Sequence, residues 1–388
     1  MLAEALRIEP GVGEPAGRAT LLAQIATAQA QGGQAKEASQ TLQRAAEEGK
    51  GLAGEDRNRF VPEYATGLAN VGRYADAEGA VTTLADGYHA TFVRAGFAEI
   101  QQRAGLGADA AKTLARAADI AASLGDREAA LSLMIVAKAQ ARAGLDADSA
   151  RTFERALVAA RQVSSEGGMI SRVAAALAEA GRIDDSVALE KTDPNRPKVF
   201  PLQTIAQAEI KAGKFEEARR LAETIDYVDV RGPLLAEIAI AQSKAGGKLR
   251  AQGILNEVEG LAETAEFDRA EILAAAAVGR AETGDSEASK KDFEKARELA
   301  DAVDDDKLRQ HALAVTGLAL WRAGRESDAL KILTPGPDSV DRTYLIGIFA
   351  KEAADAGRFA TALQAVDLLG DPEGRAYNLA ITAPRLPN

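Results

Sequence analysis

The sequence predicts an all-α fold of about ten antiparallel helical hairpins, and three observations support this. The first is composition, because the 388 residues are rich in alanine and only 4% of them are aromatic. Alanine has the highest helix propensity, whereas a sheet protein of this size would need more β-branched and aromatic residues. The second is a glycine that recurs every 32 to 40 residues. The third is a set of small residues at fixed distances from that glycine.

The clearest copy of the repeating unit lies around Gly213. Ile205 and Ala206 fall on one face of a predicted first helix, and Ala218 falls on the facing side of a predicted second helix. A glycine can adopt the left-handed conformation that ends a helix, so Gly213 is expected to reverse the chain there. Small residues at 206 and 218 allow the two helices to approach closely. One hairpin leaves an apolar face exposed, so neighbouring copies are expected to stack.

The same spacing recurs along the chain. The predicted hinge glycines are Gly33, Gly72, Gly105, Gly144, Gly181, Gly213, Gly246, Gly284, Gly324 and Gly357. Five residues after each glycine stands a small residue, namely Ala38, Ala77, Ala110, Ser149, Ser186, Ala218, Ala251, Ser289, Ala329 and Ala362. Seven residues before each glycine the residue is also small, namely Ala26, Ala65, Ala98, Ala137, Ala174, Ala206, Ala239, Ala277, Gly317 and Ala350. Two independent offsets from the glycine therefore agree on one register.

These offsets resemble the tetratricopeptide repeat, with degenerate copies. Further alanines twelve residues after their glycines match the family signature, at Ala45, Ala117, Ala156 and Ala296. The mid-helix position that is aromatic in the family holds glutamine at Gln29, Gln101, Gln140 and Gln242. The resemblance implies a right-handed α-solenoid in which the first helices line a concave groove that binds protein segments. Another type of α-solenoid is the alternative.

The proline-rich stretch at 193–201 is the predicted break in this array, with a kink or altered stacking there. It would separate repeats 1–5, at residues 11–192, from repeats 6–10, at residues 202–370. Residues 1–10 resemble the end of a partial repeat or an N-terminal cap, and residues 371–388 a capping helix and tail. We also expect three prolines to lie near the starts of first helices, namely Pro62, Pro201 and Pro233.

Charge and cysteine content narrow the choice of partner and compartment. The net charge of −11 argues against nucleic acid, since binding to phosphate backbones needs clustered Lys and Arg. The chain has no cysteine, which excludes disulfides and thiolate chemistry and fits either the cytoplasm or a bacterial periplasm. No signal peptide is visible in this chain and no apolar run reaches membrane-spanning length, so membrane insertion is not expected. Sequence upstream of Met1 and the oligomeric state are left open.

No catalytic, metal or cofactor site is predicted. His89 and His311 lie about six repeats apart, so each is expected to be a surface or helix-capping residue. The acidic run at 304–306 lacks the ligand spacing of a calcium loop and is expected to form a solvated turn. The chain is therefore not expected to be an enzyme.

The predicted binding surface comes from positions six and two residues before the hinge glycines. The resemblance places these positions in the groove, and in the middle repeats they are Glu99, Arg103, Lys138, Arg142, Glu179, Lys211 and Lys244. Five of these residues are basic and two are acidic, which predicts a positive strip suited to an acidic or carboxylate-bearing segment. The alternative is that these side chains are solvated and paired with glutamates. Trp321 is either a ligand anchor in the groove or a packed core residue.

The function predicted from these features is a non-catalytic scaffold that binds a protein or peptide partner. An extended helical surface without a convergent polar pocket favours this reading. A helical-repeat nucleic-acid-binding protein is the first alternative, and an enzyme with an unrecognised pocket is the second.

Overall fold

The computed structural model describes residues 2–11, 13–163, 168–190, 200–265, 268–333 and 340–382, and all regular structure within them is helical. The predicted all-α fold is confirmed. The chain forms two compact units, the first made of Met1–Arg196 together with Pro372–Asn388 and the second of Pro197–Asp371. We refer to them as unit 1 and unit 2.

Unit 1 contains five helical hairpins together with helices from both ends of the chain. The hairpins are α2 Pro15–Gln31 with α3 Ala35–Glu48, α4 Gly54–Asn70 with α5 Tyr74–Val81, α6 Gly87–Arg103 with α7 Gly107–Ala122, α8 Asp126–Arg142 with α9 Asp146–Gln162, and α10 Met169–Glu179 with α11 Ile183–Glu190. Before them come α1, Leu2–Ile8, and a short 3-10 helix, Glu9–Gly11. The last helix, α22, spans Pro372–Thr382 and packs against α1 and α2.

Unit 2 contains five further hairpins. They are α12 Phe200–Lys211 with α13 Phe215–Glu223, α14 Val228–Lys244 with α15 Lys248–Thr264, α16 Arg269–Thr283 with α17 Ser286–Asp301, α18 Asp306–Arg322 with α19 Glu326–Ile332, and α20 Val340–Asp355 with α21 Phe359–Asp367. Each first helix packs against its own second helix, and in both units first helices of successive hairpins also pack against one another.

The hinge prediction is confirmed at all ten positions. Every predicted hinge glycine has a positive φ, between 73° and 94°. At Gly213 the glycine N–H donates to the carbonyl oxygen of Ile210 at 3.0 Å, and the N–H of Lys214 donates to that of Glu209 at 2.9 Å. This is the Schellman arrangement, which satisfies the last carbonyl groups of the first helix. The left-handed conformation is strained for residues with a Cβ, so the position selects glycine.

The small residues lie where the two helices of a hairpin cross. Nearly all of them are fully buried. Where serine stands in place of alanine, its buried hydroxyl group has a hydrogen-bond acceptor. The serine hydroxyls donate to carbonyl oxygens twelve residues earlier, from Ser149 to Ala137 at 2.8 Å, from Ser186 to Ala174 at 2.6 Å and from Ser289 to Ala277 at 2.8 Å. At Gly317 even an alanine would be too large, because its Cβ would lie 2.8 Å from the Leu333 side chain.

Two of the three proline placements are wrong. Pro62 is the ninth residue of α4 and Pro233 the sixth residue of α14, so both lie inside their helices. A proline removes one intrahelical hydrogen bond, and a 17-residue helix packed on its neighbours can tolerate that loss. Pro201 is the second residue of α12, near a helix start as expected, so α12 begins within the last two residues of the predicted break. The rest of the predicted break at 193–201 lies outside the described residues, as does the predicted kink.

A recurring arginine, which the sequence patterns did not single out, joins one hairpin to the next. It stands fifteen residues before the hinge glycine and donates to a carbonyl oxygen in the last turn of the preceding second helix or just beyond its end. The pairs are Arg57 with Leu52 at 3.3 Å, Arg231 with Ile225 at 3.3 Å, Arg269 with Ala262 at 3.1 Å and Arg309 with Val303 at 2.7 Å. Ala262 lies in the last turn of α15, where a cationic donor satisfies an orphan carbonyl group and complements the helix dipole.

Candidate functional site

Two neighbouring first helices of unit 1, α6 and α8, present matching faces. On α6 the face consists of Phe92, Gly96, Glu99 and Arg103, whose spacing of four, three and four residues places them on one side of the helix. The equivalent residues of α8 are Leu131, Ile135, Lys138 and Arg142. We call these eight residues the α6–α8 face. It includes four of the five groove residues that the sequence predicted within unit 1, and the fifth, Glu179, is the last residue of α10.

The start of α6 is fixed by a side-chain cap. The Asp86 carboxylate accepts hydrogen bonds from the backbone N–H groups of Tyr88 at 2.8 Å and His89 at 3.4 Å. The His89 ring nitrogen Nδ1 lies 2.6 Å from the same carboxylate. The opposite side of α6 is buried through residues such as Val93 and Phe97, which holds the remaining side toward solvent. His89 thus belongs to a helix cap, as the sequence predicted.

A cavity of about 300 Å³ lies between α6 and α8. Its floor is formed by small residues, namely Ala98, Ala139 and Ala143, and its polar lining comes from Glu99, Gln102, Arg103 and Arg142. Alanines allow the depression because they leave space that larger side chains would fill. The structure therefore brings three of the predicted site residues, Glu99, Arg103 and Arg142, around one concave surface.

Ion pairs between successive first helices offset much of the positive charge here. Arg142 Nη1 lies 2.8 Å from Glu99 Oε1, and Lys138 Nζ lies 2.6 Å from Glu179 Oε2 on α10. Arg103 is exposed and has no ion pair with any residue that the structure describes. The α6–α8 face thus holds one unpaired cation and two ion pairs, the Arg142–Glu99 pair being well exposed on both sides.

The remaining predicted site residues, Lys211, Lys244 and Trp321, belong to unit 2. Lys244 pairs with Glu282 at 3.4 Å, whereas Lys211 is exposed at the end of α12. The Trp321 ring packs against the ring of Phe349, with 5.4 Å between ring centroids, and is partly buried. Trp321 therefore joins the packing between α18 and α20 and stays partly exposed.

Acidic side chains accompany the cations of unit 2. Glu237 on α14 accepts a hydrogen bond from Gln207 at 3.2 Å. Burial raises the pKa of Glu237, and the Gln207 hydrogen bond and the charges of Arg322 and Lys211 oppose that rise. Arg322 in turn pairs with Glu352 at 2.7 Å. The exposed faces of these first helices are therefore of mixed charge.

Unit 2 contains a largely buried cluster of charged side chains that the sequence patterns do not predict. Arg280 Nη2 lies 2.5 Å from Glu259 Oε2, and Arg280 Nη1 lies 3.2 Å from Asp292 Oδ2. Burial raises the pKa of Asp292 to about 6, with Glu259 adding to the rise and Arg280 opposing it. Arg280 occupies the mid-helix position where other hairpins bury glutamine, so a charged residue at a core position was the available signal. Arg280 and Asp292 are buried, whereas the Glu259 side chain is 31% exposed.

A second cavity, of about 230 Å³, lies beside α16 and α18. His311 Nε2 is 3.1 Å from Glu271 Oε1, and the walls include the apolar side chains of Leu299, Val303 and Leu308. An imidazole paired with a carboxylate can exchange a proton, but the lining offers no nucleophile beside it. Within the described residues, no group of three His, Cys, Asp or Glu side chains is placed to hold a metal ion. None of the helices described has the length and apolarity needed to cross a membrane.

Comparison with known proteins gives only remote structural similarity. No protein-family model and no curated protein sequence matches the chain. The crystal structure of Ton1535 from Thermococcus onnurineus NA1 aligns with a TM-score of 0.39 and 18% identity, covering 83% of this chain and 98% of that one. The human IFIT1 dimer with PPP-AAAA aligns with a TM-score of 0.32 and 14% identity, covering 96% and 95%. With TM-scores below 0.5, these alignments assign no partner to this chain.

Proposed function

We propose that the chain is a non-catalytic, tetratricopeptide-like scaffold that binds an acidic segment of a protein partner on the α6–α8 face. The observation that supports this most directly is the cavity between α6 and α8, with Glu99, Arg103 and Arg142 at its edge. A concave surface with a few oriented polar groups is the usual form of a peptide-binding site on helical repeats.

The charges on this face favour a carboxylate ligand. Arg103 offers an unpaired guanidinium group, which can hold a carboxylate through two parallel hydrogen bonds. The Arg142–Glu99 pair is exposed, and exposed ion pairs contribute little to stability. A ligand carboxylate can therefore replace Glu99 as the partner of Arg142 at small cost. The two arginines together would then hold an acidic side chain or a pair of them.

A protein segment fits this face better than a nucleic acid does. Nucleic-acid affinity grows with the number of phosphates that Lys and Arg neutralise. The α6–α8 face has one unpaired cation, and Glu99 and Glu179 stand beside the others. A short peptide needs only one or two such contacts, because its backbone and apolar side chains add further contacts.

The test measures binding of fluorescent octaglutamate to the full chain by fluorescence anisotropy at low salt. Arg103→Glu should weaken binding by roughly tenfold or more, because a favourable charge contact becomes repulsive, a change of about 1.4 kcal/mol per factor of ten. Glu99→Gln should strengthen binding by roughly twofold to fivefold, since it frees Arg142. Arg161→Glu is the matched control, because Arg161 is an exposed arginine on α9, a second helix of the same unit.

Arg103→Glu makes the charge at the cavity more negative, whereas Glu99→Gln makes it more positive. Opposite effects of these two variants on affinity would therefore identify the cavity as the binding site. If Arg161→Glu weakens binding as much as Arg103→Glu does, the peptide responds only to overall charge and the proposal fails. It also fails if a single-stranded RNA of equal charge binds more tightly than octaglutamate and responds to the same variants.

A further inference from the structure

The half of the α6–α8 face away from the cavity is apolar. Phe92 is 57% exposed, although a phenylalanine side chain is normally buried. On α8, Leu131 is equivalent to Phe92 and Ile135 is equivalent to Gly96, and both side chains are partly exposed. Gly96 lies between Phe92 and Glu99 and has open space where a side chain would stand. This part of the face thus consists of an aromatic ring, two aliphatic side chains and one glycine that has no side chain.

This apolar area is specific to α6 and α8 among the five hairpins of unit 1. The equivalent residues of the other first helices are small, polar or charged, namely Thr20 and Gln24 on α2, Arg59 and Glu63 on α4, and Gly168 and Arg172 at and after the start of α10. Repeat stacking alone therefore does not require apolar residues at these positions. They occur on the same two helices that form the cavity with Arg103 and Arg142.

The distance between the apolar and basic parts sets the spacing that a ligand must have. Phe92 and Arg103 are eleven residues apart on one helix, which corresponds to roughly 16 Å along its axis. Ile135 and Arg142 are seven residues apart, which corresponds to roughly 10 Å. An extended peptide advances about 3.3 Å per residue, so these distances correspond to roughly three to five residues.

We propose that the α6–α8 face recognises a peptide segment in which an aromatic or large aliphatic side chain lies three to five residues from a carboxylate side chain. This inference rests on the proposed function and adds an apolar anchor to it. The anchor contacts Phe92, Leu131 and Ile135, while the carboxylate reaches Arg103 and Arg142. Burial of apolar surface supplies affinity, and the charge contact fixes the direction of the peptide.

The experiment selects peptides from a random phage-displayed library on the immobilised full chain, then measures affinities of the selected peptides. The expected sequences carry an aromatic or large aliphatic residue three to five positions from Asp or Glu. Phe92→Ser should weaken their binding by roughly tenfold, as expected for loss of an aromatic contact. Val158→Ser is the matched control, because Val158 is 60% exposed on α9. Both residues are exposed, so circular dichroism should show unchanged helix content.

The possible outcomes separate the two proposals. Selected peptides that are acidic without an apolar residue, with affinities insensitive to Phe92→Ser, would leave the acidic-segment function standing and overturn the apolar anchor. An absence of any enriched peptide would overturn both. If sedimentation shows that the chain self-associates and that Phe92→Ser abolishes this, a second copy occupies the apolar area and the peptide anchor is refuted.

Discussion

Asp292 is 2% exposed, and the arginine beside it already pairs with Glu259. Burying an ionised carboxylate is costly unless its charge is fully compensated, and here one guanidinium group faces two carboxylates. Lys291 and Lys295 on the same helix, α17, add weaker positive charge. The cluster therefore explains why the pKa of Asp292 rises rather than falls beside an arginine.

This arrangement predicts that unit 2 loses stability as the pH rises through about 6. The folded-state pKa of Asp292 is about 6, against an ordinary value of 3.8, so the folded state holds the proton more tightly than the unfolded state does. The stability linked to the protonated form is therefore complete below pH 3.8 and lost as the pH rises past 6. The full effect is about 3 kcal/mol, from 1.36 kcal/mol for each tenfold change in proton affinity.

Asp292→Asn tests this prediction, because asparagine cannot ionise. Trp321, the only tryptophan, lies in unit 2, so its fluorescence during urea unfolding reports on that unit. The stability of the variant relative to the wild type should be higher at about pH 7.5 than at about pH 4.5, by roughly 2 kcal/mol. An identical difference at the two pH values would show that the buried carboxylate does not control the pH dependence.

At the scale of a hairpin, two glycines in the pair α14 and α15 should respond to alanine in opposite ways. Gly246 is the hinge, with φ of 94°, whereas Gly253 lies within α15 with open space around its Cα. Gly246→Ala should destabilise unit 2 by about 1 kcal/mol through left-handed strain. Gly253→Ala should stabilise it by about 0.5–1 kcal/mol through helix propensity. Urea unfolding followed by Trp321 fluorescence measures both, and equal effects would contradict the hinge argument.

The hairpins could be predicted from the sequence because their determinants are local. Gly213, Ala206 and Ala218 fix one turn and one helix crossing within thirteen residues, and the same offsets recur in every copy. The arginine contacts between hairpins were missed because an arginine such as Arg309 meets the end of a different hairpin. The sequence prediction is wrong at Pro62 and Pro233 because the helix starts depend on packing beyond the proline itself.

The candidate site was predictable in part. The offsets from the hinge located Glu99, Arg103 and Arg142, and these residues do surround one cavity. The pairing of Arg142 with Glu99 spans 43 residues and depends on how two hairpins stack, which periodicity does not specify. The sequence does not identify Phe92 as exposed, because an aromatic residue in a helix is more often part of the core.

At the scale of the whole chain, α22 completes unit 1 from the far end of the sequence. Ala376, Leu379 and Ala380 are at most 1% exposed where α22 packs against α1 and α2, and Ala5 of α1 is fully buried. Burial of a leucine side chain alone contributes about 1.5–3 kcal/mol. Unit 1 therefore depends on residues that follow unit 2 in the sequence.

Deletion of residues 372–388 should weaken unit 1 locally. Amide hydrogens of α2 should exchange at least tenfold faster in the deletion variant, because α22 no longer covers that helix. Amides of α14 and α15 in unit 2 should keep their exchange rates and serve as the internal reference. A chain that ends at residue 382 retains α22 and should behave as the wild type. Unchanged exchange in α2 after the longer deletion would show that α22 contributes nothing to unit 1.

The packing of α22 on α1 and α2 also has a consequence for biosynthesis. Domains generally fold in the order in which the ribosome delivers them, at about 5–20 residues per second. Unit 1 begins first, yet it lacks α22 until the whole of Pro197–Asp371 has been translated, a delay of roughly 10 to 35 seconds. Unit 2 is the one that can finish folding from a single uninterrupted stretch. During that interval the apolar side of the nascent first hairpin is not covered by α22. It is therefore accessible to chaperones that bind exposed apolar surface.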